Sequence, residues 1–430
     1  MTDRLAASSY PADVALLAEL RASWPPLAPE SVGASTSRGY VASDLAGSAP
    51  AVALKLSDRF AVTLVPAPAG DGSFRVVPLA RDEILVTSWR QAAAGDGLSA
   101  FVAGVPLASE RPIEADQTNT SVVVGERAVI KWFRRIGPGP ARATRLLAHL
   151  EAVGFREMPA PLGALTWTSP SGAELTIAQG DAFLPGARDG WEWCVERLER
   201  HLGHGEVACP AGCDPWIGER LGRLVVRLHA AFRSPSEAIP DPGSVADPSD
   251  VAAWRRAARA TLDDALRLTA DQDPDAGAAL TAIEPAMRAD LDLLPTDRPI
   301  DLWPVHGDFH VGQVLEWSGG LAVIDFDGNP SLGSEANAVR QPPERDLAQM
   351  LSSLDHVGRI VNERSAGHAR VAVDGWIART RREFLATLDP DPALLAAFEV
   401  EQECRELVYA ARFLPRWRYA PLATLHARYG

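Results

Sequence analysis

The stretch WPVHGDFHVGQVLEWSGGLAVIDFDGNP, residues 303–330, decides the reading of this chain. VLEW and LAVID flank Ser318-Gly319-Gly320 and read as a β-hairpin. A hairpin returns the chain to its starting end. Asp308 and Gln313, before the first strand, are therefore expected beside Asp325 and Asp327, after the second. Phosphoryl transfer to a hydroxyl needs such a meeting. One carboxylate orients the attacking hydroxyl and takes its proton, and a second carboxylate with a neutral amide oxygen holds magnesium against nucleotide phosphates. Asp308 fits the first role, and Asp325 with Gln313 the metal-binding one. A lone His-Gly-Asp or Asp-Phe-Asp is ordinarily a turn; both together around an apolar hairpin point to catalysis.

Upstream, DQTNTSVVVG and ERAVIKWF read as two strands joined at Gly125-Glu126-Arg127. Lys131 lies in the second, and lysine is scarce here: only Lys55 and Lys131 occur among 42 basic residues. Where arginine fills nearly every basic position, a retained lysine suggests a need for a compact point charge. Thr118-Asn119-Thr120-Ser121 precedes it and offers hydroxyls and N–H groups to phosphate oxygens. ATRLLAHLEAVGF reads as a helix with Leu146, Leu147 and Leu150 on one face, and ELTIAQGDAFL as a further strand. Strand, strand, helix, strand is the order of a kinase N-lobe. Before residue 116, VALLAELRASW reads as a short helix, and AVALKLSDRFAVTLVPA and SFRVVPLA as strands. The expected organisation is a cap over 1–115, an N-lobe over 116–185 and a helical C-lobe over 186–430.

In the last helical run, Gln402, Glu406, Tyr409 and Phe413 recur at three- and four-residue spacing and share one stripe. Trp417 and Tyr419 follow, after Pro415 breaks the helix. Aromatic faces beside a carboxylate suit a sugar, and suit an amino group as well.

Composition narrows the classes. The net charge is −14, which opposes binding to a nucleic-acid backbone. No apolar run reaches the roughly 18 residues of a membrane span, and MTDRLAASSY lacks the pattern of a signal peptide. The expectation is a cytoplasmic monomer with a small-molecule substrate, binding neither nucleic acid nor membrane. Four cysteines are too few for a disulfide framework. His201, His204, Cys209 and Cys213 bear a passing likeness to a zinc site, but their spacing fits no common structural class.

HGDFHVGQ followed by IDFD resembles the catalytic signature of the aminoglycoside-phosphotransferase-like kinases, and most closely the actinobacterial maltokinases and their glucosamine-kinase relatives. DQTNTSVVVGERAVIKWFRR resembles their phosphate loop and lysine strand, and ELVYAARFLPRWRYAP their sugar-site segment. The resemblance implies an α+β, protein-kinase-like bilobal fold, with a β-rich N-lobe and helical C-lobe behind the cap. It implies ATP and Mg2+, with Lys131, Asn119, Thr120, Ser121 and Gln179 on the nucleotide side. It places His310, Asp327, Gln402, Glu406, Tyr409 and Trp417 around the sugar. The implied reaction is phosphorylation of glucosamine to glucosamine 6-phosphate; the alternatives are a maltokinase and an inactive kinase-like binding module. Three departures stand out. Gln313 replaces the asparagine of protein kinases, no glutamate falls clearly where the lysine's helix partner belongs, and the second motif ends Asp327-Gly328-Asn329-Pro330.

Overall fold

A tight turn sets the register of the main sheet. Gly125 and Glu126 have φ of 55° and 50°, the sign pattern of a hairpin turn whose twist matches the strands beside it. The N–H of Arg127 closes it on the carbonyl of Val124. Val122, Val124, Ile130 and Trp132 are then buried on the paired strands. The computed structural model describes residues 8–23, 48–67, 72–81, 89–105, 108–113, 119–137, 141–204, 213–295, 297–329 and 340–430.

The strands are β1 (Ser8–Ser9), β2 (Val52–Lys55), β3 (Phe60–Pro66), β4 (Phe74–Ala80), β5 (Arg90–Gln91), β6 (Glu110–Ile113), β7 (Thr120–Val124), β8 (Ala128–Trp132), β9 (Arg135–Ile136), β10 (Pro161–Thr168), β11 (Glu174–Ala182), β12 (Ser244–Ala246), β13 (Ile300–Leu302), β14 (Val314–Trp317) and β15 (Gly320–Val323). The chain divides into two compact units: Met1–Glu151 with Pro159–Pro185, and Ala152–Met158 with Gly186–Gly430.

In the first unit, one sheet runs β1-β10-β11-β8-β7-β6 and a second runs β2-β3-β4-β5, with β9 also paired to β4. The run AVALKLSDRFAVTLVPA folds as two strands around Ser57-Asp58-Arg59, because Ser57 Oγ accepts from the N–H groups of Arg59 and Phe60 and turns the chain. One core joins both sheets: Leu54, Val62 and Val76 belong to the same apolar cluster as Ile130, Leu165 and Ile177. Strand β10 was not read from the sequence. Its alternation is weak, and it is recruited by its long antiparallel pairing with β11. The helix Arg142–Ala152 buries Leu146, Leu147 and Leu150, as its period requires.

The second unit is helical. Its main helices are Gly190–Leu202, Gly218–Arg233, Pro248–Gln272, Pro274–Asp292, Glu344–Arg364, Arg370–Leu385, Pro392–Phe413 and Tyr419–Tyr429. Asp189, Asp247, Asp273 and Asp391 cap four of these helices by accepting from first-turn N–H groups. The proline-rich segment 234–250 contains β12, which pairs with β13. Strands β14 and β15 form the expected hairpin, with Trp317 facing Gly320 across the turn. Among the described residues, no helix is long and apolar enough to cross a membrane.

Candidate active site

The sheet of the first unit lines up three of the nucleotide-side candidates. Lys131 faces Ser121 on one neighbouring strand and Gln179 on the other. Facing residues share a sheet face, so Ser121, Lys131 and Gln179 form one row. Gln179 is buried; its Oε1 accepts from the Thr144 hydroxyl at 3.1 Å and its Nε2 donates to Asp181 Oδ2 at 2.8 Å. In a protein kinase the equivalent helix supplies a glutamate to the lysine. Here the first turn of Arg142–Ala152 supplies a hydroxyl to Gln179. Asn119 and Ser121 are buried, and Thr120 Oγ1 accepts from Arg134 Nε at 3.2 Å. Thr118 lies outside the described residues.

In the second unit, the loop from His306 to Gln313 is held almost entirely through its backbone. Asp346 Oδ2 accepts from the His306 N–H and its Oδ1 from the Gly307 N–H, each at 2.8 Å. Gln349 Oε1 accepts from the Phe309 N–H at 2.8 Å, and its Nε2 donates to the Gly307 carbonyl at 3.2 Å. Ser353 Oγ accepts from the Val311 N–H at 3.0 Å. Asp346, Gln349 and Ser353 lie on one face of the helix Glu344–Arg364, so a single element fixes the loop. His229, buried on the helix Gly218–Arg233, lies 3.2 Å from Asp346 Oδ2. Burial alone would raise the Asp346 pKa; the His229 contact and the Gly307 N–H hold it below the usual range.

His306 braces the loop. Its Nε2 meets the Ile324 carbonyl at 2.8 Å and must donate there, which leaves Nδ1 to accept from the Asp308 N–H at 3.4 Å. Phe309 and Phe326 pack around its ring, with centroids 5.3 and 5.0 Å away. The Ile324 N–H donates to the Gln313 carbonyl at 2.9 Å, so the end of the hairpin is pinned from both sides. Asp325 follows with φ 60°, a strained value for a residue with a Cβ, and its side chain is exposed. Gln313 is buried and Asp327 half-buried.

Asp308 is the perturbed carboxylate of this loop. Burial first, then the charges of Asp325 and Glu406, push its pKa up to about 7, while a hydrogen bond from Gln313 opposes the rise. A carboxylate shifted in this direction holds a proton more readily than a free one, which suits a group that accepts a proton in the reaction. His310 caps the short turn Val311–Gln313 by accepting from the Gly312 N–H at Nδ1. Its Nε2 is 3.4 Å from Gln313 Nε2 and 3.8 Å from Asp308 Oδ2. Burial lowers its pKa to about 4, so the ring is neutral.

The C-terminal candidates partly converge. Glu406 accepts from Gln402 Nε2 at 3.1 Å and from Trp417 Nε1 at 3.0 Å. Burial raises its pKa, and the nearby His356 opposes that rise. The Trp417 ring meets Trp191 edge-on at 5.9 Å, and Trp191 lies 5.9 Å from His310. A series of rings thus links the catalytic loop to Glu406. Tyr409 is not drawn into it; 45% exposed, it packs on Phe413.

Asp346, Gln349, Ser353 and Trp191 escaped the sequence reading. The first three had a signal: polar residues spaced three and four apart among Leu347, Met350, Leu351 and Leu354. Trp191 had none of its own. Its placement depends on Gly190 and Gly312. A Cβ at Gly190 would sit 1.6 Å from the Val311 carbonyl, and one at Gly312 2.6 Å from Trp191 Nε1. Of the zinc candidates, Cys213 Sγ lies 4.0 Å from His201 Nδ1, and Cys209 is outside the described residues. Among the described residues no group of three His, Cys, Asp or Glu is placed to hold a metal ion.

Fold and site together define a phosphotransferase of protein-kinase-like architecture. The phosphotransferase enzyme family (APH) matches residues 109–389. A glucosamine kinase of Streptacidiphilus jiangxiensis is 41% identical over 347 residues, covering 75% of this chain and 74% of that one. A glucosamine kinase of Mycolicibacterium smegmatis is 36% identical over 370 residues, covering 79% and 90%. Among solved structures, a glucosamine kinase in complex with glucosamine, ADP and inorganic phosphate superposes with a TM-score of 0.74 at 33% identity, covering 89% of this chain and 94% of that one. The chain belongs to the phosphotransferase enzyme family, on its glucosamine-kinase branch.

Proposed function

We infer that this protein transfers the γ-phosphate of ATP to a hydroxyl of glucosamine, and that the hydroxyl is the one on carbon 6. The observation that carries the reading is the series of rings His310, Trp191 and Trp417 that joins the Asp308 loop to Glu406. One carboxylate has its pKa pushed up to about 7, chiefly by burial, and the other is anchored by Trp417 and Gln402. Glu406 offers a charge-assisted hydrogen bond to the protonated amine, and Trp417 an apolar face to the sugar ring. Asp308 then orients the hydroxyl and accepts its proton as the oxygen–phosphorus bond forms and ADP leaves. Lys131, in its row with Ser121 and Gln179, is the cation for the nucleotide phosphates.

The residues present fit magnesium. Asp325 is an exposed carboxylate and Gln313 an amide at the same end of the hairpin; the Asp308 pKa is raised first by burial and then by the charges of Asp325 and Glu406, which a cation would offset. Bound there, the ion would neutralise charge on the phosphates. An oxygen site completed by phosphates and water does not need three protein carboxylates.

A transfer assay with ATP and magnesium over glucosamine, glucose, maltose and an aminoglycoside tests the reading. Glucosamine is expected to have the highest kcat/KM, by about tenfold or more over glucose, the scale of one charge-assisted hydrogen bond. Maltose as the better substrate would overturn it.

A further inference from the structure

We propose that His356 and Glu403 form a positioning pair for the amino-sugar end of the site: His356, hydrogen bonded to Glu403 and stacked edge-on against Trp417, fixes the indole that holds Glu406. The proposal rests on the assignment of Glu406 and Trp417 to the sugar. His356 lies on the helix Glu344–Arg364 three residues beyond Ser353, on the face that carries the catalytic loop. Its Nε2 is 2.9 Å from Glu403 Oε2, and both side chains are nearly fully buried. Its ring meets Trp417 at 5.3 Å and 87°, and the Trp417 N–H goes to Glu406. Among the described residues Glu403 Oε1 has no hydrogen-bond partner, and the buried contact of the carboxylate is with His356.

A buried ion pair is a costly way to fill space, and an apolar pair of similar volume often packs as well or better. Its location supplies a reason for the charge. The groups acting on His356 are Glu403 and Glu406 from the helix Pro392–Phe413 and Asp355 from its own helix; His310 of the catalytic loop also feels its charge. Burial disfavours the imidazolium, but Glu403 foremost and then Glu406 and Asp355 outweigh that, and the His356 pKa is raised. The resulting cation favours the ionised form of Glu406. An ionised Glu406 distinguishes an ammonium from a hydroxyl; a protonated one does so far less. The pair therefore sets amino-sugar preference without touching the sugar.

The test uses His356→Gln and Glu403→Gln in the full chain, with glucosamine and glucose as substrates. His356→Gln is expected to raise the glucosamine KM about tenfold and to lower the glucosamine-over-glucose preference by a similar factor. Its kcat and its KM for ATP should stay within about threefold of wild type, a change small on the free-energy scale. Glu403→Gln keeps a hydrogen-bonding side chain but removes the charge that holds the proton on His356. Its glucosamine KM should exceed wild type at about pH 8 and approach it as the pH falls, because burial without the Glu403 charge leaves His356 neutral until more acid pH. The mutant-to-wild-type ratio cancels the titration of the sugar amine itself. A parallel fall in every kinetic parameter, or a Glu403→Gln ratio that does not vary with pH, would reduce the pair to packing and overturn the proposal. If His356→Gln does not fold, the Glu403→Gln ratio decides alone. A wild type with no preference for glucosamine defeats the functional reading, an outcome distinct from failure of the pair.

Discussion

Two stretches of the helix Glu344–Arg364 support two regions in different ways. At its N-terminal end, Asp346, Gln349 and Ser353 grip the catalytic loop through backbone N–H groups. Toward its middle, His356 meets the side chains of Glu403 and Trp417. Backbone grips fix geometry whatever side chains the loop carries. Side-chain grips pass on charge and ring orientation, so they tune what is bound. The contrast separates the chemistry, which must not vary, from the specificity, which can.

The largest expected effect lies at the loop itself. Asp308→Asn should reduce kcat by about a hundredfold to ten-thousandfold, the usual range for loss of a positioned base. Glucosamine and ATP affinities, read by calorimetry, should change little, because Asp308 is held by backbone contacts that an amide does not disturb. Turnover within tenfold of wild type would remove the carboxylate from its role. Next comes the grip. Asp346→Ala strips acceptors from the His306 and Gly307 N–H groups and a partner from His229 in one step. Breaking such a buried charged contact costs about 3–5 kcal/mol, so the unfolding midpoint in urea should drop sharply. Asp346→Asn retains one acceptor oxygen and should lose less. Equal midpoints for Asp346→Ala and wild type would show that the loop is held by something else.

The same contrast explains what the sequence disclosed. The hairpin and the order Asp308, Gln313, Asp325 were legible because they are local: two short apolar runs and a glycine turn bring the motif residues together regardless of the remaining fold. Lys131 was legible by its scarcity and its strand, and the register then set it between Ser121 and Gln179. The helix stripe was visible only as polar residues in an apolar run, and what it grips lies about forty residues upstream. Trp191 owes its role to two glycines in separate segments that let a helix approach the Val311–Gln313 turn. Tyr409 shows the limit of periodicity. It shares the stripe of Gln402 and Glu406, yet packs at the exposed surface on Phe413, because Trp417 folds back onto Glu406 after Pro415 ends the helix.

The smallest expected effect sharpens the comparison most. Ser353 sits between the two regimes, one turn before His356 on the same face. Its Oγ accepts from the Val311 N–H and donates to the Met350 carbonyl at 2.7 Å. Ser353→Ala leaves the fully buried Val311 N–H without its acceptor, a loss of about 1–3 kcal/mol. Val311 opens the turn that ends at Gln313, so kcat should also fall, by a few-fold at most if the other grips hold. Neither partner of Ser353 titrates. The stability loss, measured as the difference in urea unfolding free energy from wild type, should therefore be the same at about pH 6 and about pH 8. The wild-type His356–Glu403 pair behaves otherwise: a histidine with a raised folded pKa stabilises the protein fully below the unfolded value and loses that contribution as pH rises through the folded one. A Ser353→Ala loss that changed across this window would mean that the loop grip and the sugar-side pair are one coupled network and not two supports on a shared helix.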